Sequence, residues 1–336
     1  MKVKLLSKSV RAKPKKDSVS LSESELKDIF DWLDSMRGKR TVKFLSGIRG
    51  VGKSTVLTKW REKLLKEGYP EERFIVIDAE QPILRHLVTS DAVLAYLSTQ
   101  FPEDGGAMIF IDEPSSFPNY EEVIGTLLGD HRLDIYLTMS THRVLTGGLS
   151  DYLRGAVSVY EILPSADPAA SLQAENFHAR WIEILLRDVL SEPGIQDAAL
   201  AERIAAYLSD SVGEPVSLRS ITSAVSPPGK LISPNTADAY LTALENAHVV
   251  EKCYRWNTDL EQPIRSGYRV FFTDTTLRAE QFGLAPMDDD FRTNLNRKWL
   301  RARRKAKGPV YLPEDAQFLA DCDFVEPPKP EEPAEE

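Results

Sequence analysis

Residues 47–54 read Gly-Ile-Arg-Gly-Val-Gly-Lys-Ser, set between an apolar run, Thr41–Leu45, and a helix-forming run from Thr55 to Lys66. The glycines permit backbone turns that a side chain would block, so consecutive N–H groups can curl toward one point and surround an anion. A helix that starts there adds the positive end of its dipole. Gly47, Ile48, Arg49, Gly50, Val51, Gly52, Lys53, Ser54 and Thr55 are therefore the expected phosphate cradle, a Walker A pattern. Lys53 would bring a point charge to the β and γ phosphates of a nucleotide, and Ser54 a hydroxyl to Mg²⁺. A strand must feed such a loop and a helix must leave it, which demands an α/β architecture.

Four further strand-like runs alternate with helical or polar stretches: Phe74–Asp78, Met108–Asp112, Asp134–Met139 and Ser158–Leu163. Alternation of this kind predicts a parallel sheet with helices on both faces. With strands counted along the chain, the expected order is 5-1-4-3-2, the fourth lying between the strand of the glycine loop and the Met108 strand. Upstream, Ser22-x-x-Glu25 is a capping box, and Leu26, Ile29, Phe30, Leu33 and Met36 follow at helical spacing.

Met108-Ile109-Phe110-Ile111-Asp112-Glu113 has the form of a Walker B strand, apolar throughout and ending in two acids. Asp112 is the expected second metal residue beside Ser54. Glu113 is the expected base that polarises the attacking water, with Lys53 as its cationic counterpart on the phosphates. The end of the fourth strand, Thr138-Met139-Ser140-Thr141, should face the γ-phosphate; Ser140 is the first choice for orienting the water and Thr141 the second. Three arginines are candidate cations for the transition state: Arg49 inside the loop, and Arg143 and Arg154 beyond the fourth strand. Each has a solvated surface arginine as its alternative.

The second half changes character near Pro164. Asn176–Leu190, Ile195–Leu208, Ser217–Val225 and Asn235–Ala247 read as helices, and Val249–Arg255 and Tyr268–Thr273 as strands joined by a polar loop. Three helices and a two-stranded wing make a winged helix. The fold expected for the whole is α/β, a P-loop NTPase parallel sheet in the order 5-1-4-3-2 with helices on both faces, followed by a helical and winged-helix domain.

Composition narrows the setting. The chain has 336 residues, 42% hydrophobic and 28% charged, enough for two domains or slightly more. No membrane segment is expected, and with only Cys253 and Cys322 no cysteine framework or zinc cluster can form. A cytoplasmic setting is the default. Met1–Lys16 holds seven Lys or Arg and no acid, which fits a disordered arm or a weak organellar presequence. A net charge of −9 opposes wholesale coating of nucleic acid. Two places bear on local binding. The third helix of the wing, Asn235–Ala247, has no Lys or Arg, whereas Arg297–Lys307 holds seven basic residues in eleven with Trp299 among them. The second could grip phosphates, or be a solvated basic face.

Taken together these motifs resemble the prokaryotic AAA-type ATPases in which a P-loop domain is followed by a winged helix and a restriction-nuclease-like domain of unknown function. The likeness is carried by Asp134–Thr138 through Ile162-Leu163-Pro164, by Ser233-Pro234-Asn235-Thr236 through Ala247-His248-Val249-Val250, and by Phe272-Thr273-Asp274-Thr275-Thr276-Leu277-Arg278. It spans about residues 41–282 and implies domains at 38–165 (ATPase) and 166–282 (helical plus winged helix). Residues 1–37 would be a basic arm and helix, 283–325 a truncated nuclease-like remnant around Asp321-Cys322-Asp323-Phe324-Val325, and 326–336 a disordered acidic tail. Where the family pattern has Gly-Arg this chain has Gly155-Ala156, where it has Gly before Ser this chain has Met139, and the loop's second Arg is Gly50. The resemblance implies ATP and Mg²⁺ as ligands and slow ATP hydrolysis used as a conformational switch. It also implies a homo-oligomer or a protein partner bound through the winged helix. A non-hydrolysing, nucleotide-bound interaction module and a DNA-associated regulator remain open beside it.

Overall fold

The computed structural model describes residues 21–84, 86–102, 105–142, 153, 155–165, 177–229, 231–282, 291–313 and 323–327. The arm at Met1–Lys16, Arg143, Arg154, Asp321, Cys322 and the tail beyond 327 lie outside them. The chain divides into two compact units, Met1–Ile162 and Leu163–Glu336.

The first unit opens with α1 (Glu23–Met36). Its capping box forms: the Ser22 N–H donates to Glu25 Oε2 at 2.7 Å, and the Glu25 N–H donates to Ser22 Oγ at 3.3 Å. Five parallel strands follow: β1 (Val42–Ser46), β2 (Phe74–Asp78), β3 (Ala107–Asp112), β4 (Leu133–Met139) and β5 (Val157–Glu161). Their order, β2-β3-β4-β1-β5, is the expected 5-1-4-3-2 read from the other edge. Alternate residues of β3 and β4 explain how helices cover both faces. Ile109, Ile111, Ile135 and Leu137 join one apolar cluster with Val93 and Leu97 of α3 (Ser90–Ser98) and Val123, Ile124 and Leu127 of α4 (Tyr120–Gly129). On the other face α2 (Lys53–Lys66) lays Trp60 against Tyr136 and Phe110, ring centroids 4.8 Å and 5.8 Å away. Burying that indole contributes about 3 kcal/mol of apolar transfer.

An ion pair lies at one end of this layer. Lys43, near the amino end of β1 and 1% exposed, donates to Asp134 at 2.6 Å and to the Lys39 carbonyl, above the Tyr136 ring. Asp134 also accepts from Tyr136 Oη at 2.9 Å and from the Gly38 N–H at 2.9 Å. The buried lysine is tolerated because the Asp134 carboxylate, itself held by Tyr136 and Gly38, balances its charge.

The second unit begins with α5 (Phe177–Ile184), which widens into a π turn over Leu185–Val189. α6 (Ala198–Asp210), α7 (Leu218–Val225) and α8 (Pro234–Asn246) each start on a side-chain cap, from Asp197, Ser217 and Ser233. A three-stranded antiparallel sheet follows in the order β6-β8-β7: β6 (Pro215–Val216), β7 (Val250–Asn257) and β8 (Gln262–Phe272). The hairpin is longer than the two strands expected from sequence, because pairing continues through Arg255–Asn257 and Gln262–Ile264.

α9 (Thr275–Gln281) and α10 (Phe291–Ala306) complete the unit. Trp299 of α10 stacks on Phe271 at 5.2 Å, and the Asn296 amide grips both the N–H and the carbonyl of Phe272, at 2.9 and 2.8 Å. Leu312 then bonds to Tyr254 and Trp256 at 2.8 Å each, and Val325 bridges Tyr311. Where they are described, residues 291–313 and 323–325 thus pack on the hairpin through Asn296, Trp299 and Leu312, and through Val325 by way of Tyr311.

Candidate phosphate and metal site

At the carboxyl end of β1 the chain turns through Gly47, Gly50 and Gly52, all at positive φ, into α2. Gly47 admits no other residue: its φ is +145°, and a Cβ there would lie 2.3 Å from the Ile162 carbonyl oxygen. Lys53, 4% exposed, folds back over the loop and donates to the carbonyls of Gly47 at 2.8 Å and Ile48 at 3.3 Å.

Parallel register brings the acids to the same edge. Asp112 pairs with Thr138 across β3 and β4, and Ser46 with Met139 across β1 and β4. Ser54 Oγ donates to both oxygens of Asp112, at 2.7 and 2.8 Å. A hydroxyl and a carboxylate converging in this way are hard oxygen donors of the kind Mg²⁺ takes alongside water and phosphate. Thr138 Oγ1 also donates to Asp112, so the carboxylate is steered from a second side.

Glu113 occupies the left-handed region at φ 51°, ψ 56°, a costly conformation for a residue with a side chain. Its N–H reaches the Thr138 carbonyl at 3.2 Å, and its carboxylate accepts from the Ser140 hydroxyl and from the Ser140 N–H at 3.1 Å. Ser140 Oγ in turn accepts from Lys53 Nζ at 2.9 Å, and Lys53 stands 3.7 Å from Glu113. Lys53, Ser54, Asp112, Glu113 and Ser140 therefore form one connected set. Ile48 and Val51 are buried beside it, and Thr55 in the first turn of α2 is half-buried. Thr141 is 6% exposed and its Oγ1 has no hydrogen-bond partner.

Met139, standing where the family pattern has glycine, points away from the site: alternation carries it into the apolar cluster with Ile135 and Leu137, fully buried. Arg49 is not a solvated surface side chain; it is 9% exposed and pairs with Glu80 Oε1 at 3.0 Å. Thr138 lies in the strand end expected to face the γ-phosphate, though its role toward Asp112 needs the β3–β4 register, and no local signal marks Glu80 as the partner of Arg49.

The basic run at 297–307 is also largely spent inside its own unit. Arg303 pairs with Glu251, Arg304 donates to the Leu163 and Pro164 carbonyls, Lys298 faces Asp323 at 3.6 Å, and Arg297 is buried. Trp299 is core, with no face left for a base. Burial lowers the pKa of Arg304.

Residues 39–166 match the family described as AAA domain. The strand order of this segment is that of the P-loop NTPase sheet. Residues 161–288 match a domain of unknown function. An uncharacterized protein of Haemophilus influenzae is 21% identical over 278 residues, which cover 72% of this chain and 69% of that protein. Among solved structures, a Walker-type ATPase of Pyrococcus abyssi is similar at 14% identity and a TM-score of 0.45, over 80% of this chain and 97% of that one. A structure of Drosophila ORC bound to AT-rich DNA and Cdc6 is similar at 11% identity and a TM-score of 0.31, over 77% and 91%. Among the described residues, no helix is long and apolar enough to cross a membrane.

Proposed function

We propose that residues 39–166 are an AAA-type domain that binds ATP with Mg²⁺ and hydrolyses it slowly, as a conformational switch. The observation that carries this reading is the Ser54–Asp112 contact at 2.7 Å beside a Lys53–Ser140–Glu113 chain, all at the mouth of a glycine loop. Loop N–H groups and Lys53 would take the phosphates, and Ser54 and Asp112 would hold Mg²⁺, which supplies charge neutralisation on the phosphate oxygens. Glu113 would orient and deprotonate water. To reach it, the Glu113 carboxylate must leave Ser140, which supports a switch: γ-phosphate contact and Glu113 release compete for the same two partners, Lys53 and Ser140.

The non-hydrolysing alternative draws on Ala156, where the family pattern has arginine. Its carbonyl accepts from the Val42 N–H, so it sits at the amino end of β5. That is roughly 15 Å along the sheet from the loop edge. An arginine there would serve a neighbouring subunit and not its own nucleotide, so its loss leaves the local set intact. A regulator that reads DNA has weaker support, since α8 carries no Lys or Arg and the basic run is internally paired. The three helices and hairpin fit a winged helix used as a protein-docking element.

Equilibrium binding of Mg²⁺-ATP and steady-state phosphate release test this reading. Binding abolished by Lys53→Ala and turnover abolished by Glu113→Gln are expected. Saturable binding without turnover would leave the non-hydrolysing module, and no binding at all would overturn both.

A further inference from the structure

At the amino ends of β1, β3 and β4, opposite the glycine loop, lies a cavity of about 200 Å³ that the nucleotide reading does not use. Arg37, Lys39, Arg40, His131 and Arg132 line it together with two acids, Asp130 and Asp134. Both acids are already spent. Asp130 accepts from Arg132 Nε at 3.0 Å and Nη2 at 2.7 Å, and Asp134 accepts from Lys43, Tyr136 and Gly38. Arg37, Lys39 and Arg40 are exposed and have no ion pair among the described residues. Arg73 adds a further cation, its Nη1 donating to the Gly106 carbonyl of the cavity wall at 2.8 Å. On a chain of net charge −9, an uncompensated basic cluster around a concavity focuses potential for an anion. Arginine forks with a neighbouring lysine suit the tetrahedral oxygens of phosphate.

We propose that this cavity binds a phosphoryl group, at the edge of the sheet away from the nucleotide. The group would come from a small phosphate compound or from the phosphodiester of a nucleic-acid strand. The test uses full-length Lys53→Ala protein, so that the glycine loop takes no part. Inorganic pyrophosphate is titrated by calorimetry and a fluorescein-labelled oligothymidine by anisotropy, both at about 50 mM salt. The expected result is saturable binding of at least one probe, weakened about tenfold or more by Arg37→Gln/Arg40→Gln and by Lys39→Gln in smaller measure, and steeply reduced by added salt. Pyrophosphate alone identifies a small phosphate compound, and both probes identify a strand. Circular dichroism confirms folding of the variants, whose substituted side chains are at the surface. No binding of either probe, or binding indifferent to these substitutions, would overturn the proposal.

Discussion

Lys53 Nζ donates to Ser140 Oγ at 2.9 Å, joining the start of α2 to the end of β4 across 87 residues of chain. The same hydroxyl donates to Glu113, so one serine holds the loop cation and the acid together. Ser140→Ala is expected to reduce phosphate release by about a hundredfold, because Glu113 and Lys53 lose their common anchor. ATP affinity should change little, since the loop carbonyls still hold Lys53. Measured turnover that equals the parent protein's would remove Ser140 from the reaction.

Thr138 steers Asp112 without being placed to meet a phosphate. Thr138→Val keeps the volume and deletes the donor. The Mg²⁺ concentration for half-maximal turnover should rise about tenfold to a hundredfold, the usual cost of losing an outer hydrogen bond to a metal-binding carboxylate. Nucleotide binding measured without Mg²⁺ should stay as it was, which separates a metal effect from unfolding.

Lys43 and Asp134 form a pair whose stability cost is asymmetric. Lys43→Met leaves the Asp134 carboxylate without its cation and should destabilise the first unit by about 3 kcal/mol in urea titration. Adding Asp134→Asn should restore much of the loss, because an amide needs no buried counter-charge. If the double variant is the weaker of the two, desolvation is not the controlling cost.

Arg132 holds the Asp130 carboxyl down to about 2 through a side-chain hydrogen bond, with its backbone N–H adding to the effect. A carboxyl depressed in the folded state contributes stability that is complete above its unfolded value and is lost as pH falls from there toward the folded one. The window is therefore roughly pH 4 to 2. Carbon-detected NMR titration should place the Asp130 midpoint near the lower end, and Arg132→Gln should return it to the ordinary carboxylate range. Because Asp130 is only partly covered, the effect on overall stability should be small. An unmoved midpoint would show that the Arg132 contacts are not its cause.

Local signals in the chain already specified a good deal. The glycine loop, the apolar run ending at Asp112-Glu113, the Ser22 capping box and the strand–helix alternation each depend on neighbours within a few residues. Each is matched by the elements that form. Even the sheet order followed from those runs.

Tertiary structure decided which distant groups meet. Parallel pairing of Asp112 with Thr138 and of Ser46 with Met139 carries Thr138 and Ser140 to Asp112, Glu113 and Lys53, while period-two alternation sends Met139 into the core. It also decided the fate of charge. Arg49 found Glu80, Arg303 found Glu251 and Lys43 found Asp134, while Arg37, Lys39 and Arg40 were left around a cavity. Composition counts those charges alike. Only the folded chain fixes which of them lie close enough to a partner in low dielectric to be neutralised, and which remain facing water.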